Sequence, residues 1–127
     1  MAKTTKYTLG ELEEAVMEVV WSRQEATVRE VVDALQHRHI AYTTVMTVMT
    51  RLTSQRVLQR QPGEHGAFRY RARLCQDAFY TQASRAVIDD LVKRYGAVAM
   101  AQFIDRLDKV PHHQLAELRR RLANNRR

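Results

Sequence analysis

From Leu9 onward the apolar residues Leu12, Val16, Val19 and Val20 recur at helical spacing, while Glu11, Glu13, Glu14 and Glu18 fill much of the other face. This pattern predicts a helix ending near Ser22. After Gln24 to Ala26, Thr27 stands three residues before Glu30, so that each side chain can accept the other residue's backbone N–H at a helix start. The second helix turns Val28, Val31, Val32 and Leu35 inward and fades near His37 to His39. A third runs from about Thr43 to Gln55.

The third helix carries the most information. At about 100° per residue, Tyr42, Val45, Val48, Met49 and Leu52 point in one direction and form its core stripe. The opposite face holds Thr43, Thr44, Thr47, Thr50 and Arg51, with no acid among them. An ordinary solvated face favours Glu and Lys in i,i+4 pairs, which have better helix propensity than threonine. A threonine hydroxyl can instead bond a base edge or a phosphate, its methyl can pack on a thymine methyl, and an arginine can fork onto guanine.

Beyond that helix, Val57 to Arg60 and Ala67 to Arg73 read as two strands around a turn containing Pro62, Gly63 and Gly66. Alternation places Phe68, Tyr70 and Ala72 inward and Arg69, Arg71 and Arg73 outward. Trp21, Phe68 and Phe79 are expected as core anchors. Three helices followed by a hairpin make a winged helix. Charge follows the same division: residues 1–37 hold four basic and seven acidic residues, whereas 38–75 hold seven basic and one acidic. Positive charge thus lies where this fold meets DNA.

From Gln76 a longer amphipathic helix carries Phe79, Ala83, Val87, Leu91 and Tyr95, and Gly96 ends or bends it. A short helix with Val98, Ile104 and Leu107 follows, and Pro111 opens a last one with Leu115, Leu118 and Leu122. Three short helices in about 50 residues rarely bury enough surface to be stable alone. The expected architecture is therefore mostly α with a small β-hairpin wing: a winged helix-turn-helix DNA-binding domain at 1–75 and a helical dimerisation domain at 76–127. A two-fold protein suits paired DNA half-sites.

Composition narrows the chemistry. The 127 residues include 21 Lys and Arg against 14 Asp and Glu, a formal charge of +7 that favours an acidic partner such as nucleic acid. Cys75 is the single cysteine, which permits no intrachain disulfide and fits a reducing cytoplasm. No run of about 18 apolar residues predicts a membrane span. His37, His39, His65, His112 and His113 lack the spacing of a metal site, and no serine sits in a glycine-framed elbow. Neither an enzyme nor a cofactor is expected. A winged helix that binds only proteins, or a regulator that senses a small molecule, shares the fold; the hydroxyl face and basic wing favour DNA.

The stretches Leu9 to Trp21 (LGELEEAVMEVVW) and Ala41 to Leu52 (AYTTVMTVMTRL), with Val57, Leu58 and the Phe68/Tyr70 pair, resemble the penicillinase-repressor family of the BlaI/MecI type. The resemblance implies a homodimeric repressor that binds palindromic operators with TACA/TGTA-type half-sites and silences beta-lactamase or other stress-response genes, as in antibiotic resistance. Carried over by position, it implies base contacts from Thr43, Thr44, Thr47 and Arg51, and phosphate contacts from Tyr42, Arg56, Arg69 and Arg71. Relatives are inactivated by cleavage that a membrane sensor protease triggers at an Asn-Phe bond, and Gln102 and Phe103 occupy that place here. A copper-responsive branch ends in a cysteine cluster, which this chain does not carry.

Overall fold

The computed structural model describes residues 8–125, with no side-chain account of Asn125. Its elements are α1 (Glu11–Arg23), α2 (Val28–Ala34), α3 (Tyr42–Ser54), β1 (Leu58–Pro62), β2 (Phe68–Ala72), α4 (Gln76–Tyr95), α5 (Ala97–Asp108) and α6 (His112–Asn125). Every expected element is present. The chain divides into two compact units, residues 1–84 and 85–127, so the division falls inside α4.

The first unit is a three-helix core closed by a hairpin. Thr27 Oγ1 accepts the Glu30 N–H at 3.1 Å and Glu30 Oε1 accepts the Thr27 N–H at 2.9 Å, which starts α2 as its sequence requires. The second helix is shorter than its apolar pattern, because a 3-10 turn at Gln36–Arg38 replaces its end and His39 then takes a left-handed conformation (φ 53°). That turn redirects the chain into α3. Val16, Met17 and Val20 of α1, Val31 of α2, and Val45, Met49 and Leu52 of α3 meet in one core with Leu58 and Tyr70 of the hairpin.

The strands pair antiparallel with Arg60 opposite Tyr70. Ala26 adds a third, one-residue strand, exchanging backbone hydrogen bonds of 2.9 and 2.8 Å with Tyr70. An isolated residue carries no period-two pattern, so sequence periodicity did not reveal it. Phe68 departs from its expected place: the hairpin outruns the core, leaving Phe68 42% exposed while Tyr70 on the same face is buried. Phe79 is buried as expected, its ring tilted against that of the half-buried Trp21 with centroids 5.6 Å apart, and the Trp21 Nε1–H donates to the Leu74 carbonyl. The first turns of α4 thereby complete the core of the first unit.

The second unit contains the end of α4, α5 and α6. None of its described residues is buried. Val98, Met100, Ile104, Leu107, Leu118 and Leu122 all stand at least 48% exposed.

Candidate nucleic-acid interface

Placement of α3 follows from its apolar stripe. Val45, Val48, Met49 and Leu52 are buried, which forces Thr43, Thr44, Thr47, Thr50 and Arg51 outward, all of them exposed. Thr47 Oγ1 donates to the Thr43 carbonyl at 2.9 Å, which fixes its rotamer and leaves the hydroxyl oxygen free to accept. Met46, 45% exposed on the flank of this face, escaped sequence analysis because methionine ordinarily reads as core. Its flexible thioether adds an apolar contact among the hydroxyls.

Tyr42, expected in the core stripe, is 40% exposed at the start of α3 and lies under the Arg29 guanidinium, 4.8 Å from its ring centre. The aromatic ring and the cation therefore form one exposed patch where α2 and α3 begin. Arg29 was not singled out in the sequence, because its relation to Tyr42 depends on the turn between the helices.

At the far end of α3, the Val57 N–H reaches the Leu52 carbonyl at 2.9 Å and the Arg56 N–H reaches the Thr53 carbonyl at 3.1 Å. Those two bonds close a Schellman turn, with Arg56 in the left-handed position usually given to glycine (φ 65°). A side chain there costs about 1 kcal/mol. Its retention puts an exposed guanidinium directly beyond the threonine face.

On the wing, Arg69 and Arg71 are engaged with carboxylates instead of standing free. Arg69 Nε lies 2.8 Å from Glu25 Oε1 and its Nη2 3.3 Å from Glu30 Oε1, while Arg71 Nη2 lies 3.5 Å from Glu25 Oε2. Arg23 joins the cluster at 3.7 Å from Glu30. The Glu30 carboxyl is held below the ordinary glutamate range, first by the Thr27 backbone N–H, then by the Thr27 hydroxyl and the Arg69 and Arg23 charges. Periodicity identified the arginines as outward; it could not reveal acids reaching them from the loop after α1 and from the first turn of α2.

Gln102 and Phe103 lie in the middle of α5 and line an apolar groove of about 320 Å³ with Leu91, Tyr95, Val98, Ala99 and Arg106. Among the described residues, no three His, Cys, Asp or Glu side chains gather as metal ligands, and no helix is long and apolar enough to cross a membrane.

A helix-turn-helix with an antiparallel wing and an outward, acid-free third helix defines the winged-helix class. The chain belongs to the penicillinase repressor family, which matches it over residues 9–124. Two curated relatives from strains of Mycobacterium tuberculosis, each called transcriptional regulator BlaI, are 53% identical to it over 60 residues, 46% of this chain and 42% of theirs. The match therefore spans less than half the length of those relatives. Among solved structures, the DNA-binding domain of the repressor BlaI has a TM-score of 0.51 at 23% identity, covering 57% of this chain and 90% of that one. A mutant MarR from E. coli has a TM-score of 0.50 at 18% identity, covering 80% and 76%. Both share the fold.

Proposed function

We propose that the protein is a homodimeric transcriptional repressor that lays α3 of each protomer in the major groove of a palindromic operator. The carrying observation is the exposed, acid-free face of Thr43, Thr44, Thr47, Thr50 and Arg51. Thr43, Thr44, Thr47 and Arg51 read base edges, while Tyr42 and Arg56 at the two ends of the helix hold phosphates. Phosphate neutralisation supplies most of the raw affinity and makes it salt-dependent; the threonines and Arg51 supply preference among sequences. Occupancy of the operator excludes RNA polymerase in the cytoplasm, and beta-lactamase or other stress-response genes are the proposed targets.

The exposed apolar surface of α5 and α6 supports dimerisation, because so many large apolar side chains in one small unit are stable only when covered. A second copy buries them and fixes the spacing of two half-sites. Release by a sensor protease acting at Gln102–Phe103 requires α5 to unwind locally, since the bond lies within a helix and proteases bind extended chain. Cutting there breaks the dimer without touching α3.

Selection of bound duplexes from a random pool should return a palindromic consensus. On that site Arg51→Ala should cost about 1–3 kcal/mol, with far less lost on random duplex. Equal losses on both would reassign Arg51 to the phosphates, and no enrichment of any duplex would overturn the reading.

A further inference from the structure

Cross-strand register divides the wing into two electrostatically different faces. Leu58, Arg60 and Pro62 pair with Ala72, Tyr70 and Phe68 on one face, while Gln59 and Gln61 pair with Arg71 and Arg69 on the other. On the second face both arginines are already held by Glu25 and Glu30. Gly63 belongs to the same brace: a Cβ there would stand 2.8 Å from Arg69 Cγ and 2.7 Å from the Ala67 carbonyl oxygen, so the glycine lets the Arg69 stem cross the turn toward its acids. Each arginine would carry these carboxylates into any phosphate contact, and the paired negative charge lowers its net attraction for the backbone.

The first face differs. Near the core it is buried through Leu58 and Tyr70, and beyond the core it continues outward as Arg60 and the exposed Phe68. Arg60 Cζ lies 4.3 Å from the centre of the Phe68 ring, and among the described residues no carboxylate pairs with it. A guanidinium over a ring face keeps the N–H donors that point away from the ring available for an anion. The ring also limits the rotamers of a long side chain, so less entropy is lost on binding.

We propose that Arg60, laid over the Phe68 ring, makes the wing's contact with the nucleic-acid backbone, and that Arg69 and Arg71 brace the wing against Glu25 and Glu30. This rests on the DNA-binding reading above and replaces the phosphate roles that family resemblance implied for Arg69 and Arg71.

The test is titration of the full chain against random-sequence duplex DNA over a range of salt concentrations, because a backbone contact needs no operator. Arg60→Ala should reduce the slope of log affinity against log salt by about one, as loss of one phosphate contact does, and weaken every duplex equally. Arg69→Ala should leave the slope unchanged. Phe68→Leu, which keeps the apolar bulk but removes the ring, should weaken binding about two- to fivefold with the slope retained. An unchanged slope in Arg60→Ala, or a slope lowered by one in Arg69→Ala, overturns the proposal while DNA binding stands. Failure of the unaltered chain to bind any duplex overturns the DNA reading, and this proposal with it.

Discussion

The two units of this chain solve the same problem differently. Residues 1–84 bury apolar side chains from three helices, the hairpin and the start of α4, so that Val16, Met17, Val31, Val45 and Leu52 are wholly out of water. Residues 85–127 carry a comparable share of large apolar side chains on regular helices and bury none among those described. Helix formation alone is therefore not what separates them. Good amphipathic helices make a core only when enough of them meet, and about 40 residues rarely suffice. The first unit is complete in one chain; the second is read as half of something larger.

The sharpest way to break that comparison is Val98→Asp, a change at a side chain 68% exposed. If the second unit is completed by another copy, the charge is buried at the interface, the protein sediments as a monomer, and affinity for a palindromic site falls by about 10²- to 10⁴-fold as simultaneous engagement of two half-sites is lost. Melting of the first unit stays unchanged. A dimer that persists with undiminished affinity would mean that Val98 faces water in the working protein.

Leu52→Ala probes the opposite case. Leu52 is fully buried on α3, and truncating it leaves a cavity that should cost about 2–5 kcal/mol in denaturant unfolding. Because that core lies within one chain, the loss should not depend on protein concentration. A concentration-dependent loss would join the two units energetically.

What the sequence disclosed follows the same line. Where periodicity is strong and burial one-sided, as in α3, the outward face could be read residue by residue. Legibility failed where a position depends on groups distant in the chain: Ala26 as a strand, Phe68 beyond the end of the core, and Glu25 and Glu30 meeting Arg69 from far earlier in the sequence. The division inside α4 was hidden for a related reason. Phe79 and Tyr95 share one amphipathic pattern, yet Phe79 is buried and Tyr95 is 60% exposed. Periodicity says which face turns inward and not what lies there.

The smallest of these effects concerns the charges at the rim of each unit, and Glu30→Gln measures it. Gln keeps an acceptor for the Thr27 N–H but removes the charge beside Arg69 and Arg23. Glu30's carboxyl ionises more readily folded than unfolded, so its contribution is present above the ordinary glutamate range and is lost as pH falls through the depressed folded value. The substitution should therefore cost up to about 1 kcal/mol near neutral pH, since water screens a side chain 36% exposed. The gap to the unaltered protein should close in acid, where both carry a neutral side chain. Asp105→Asn in the second unit removes an ion pair with Lys109 between side chains 59% and 69% exposed, and should change stability by no more than about 0.5 kcal/mol. A larger loss from Asp105→Asn than from Glu30→Gln would show that the second unit draws its stability from its surface charges, and the contrast between a self-sufficient core and an uncovered apolar face would fail.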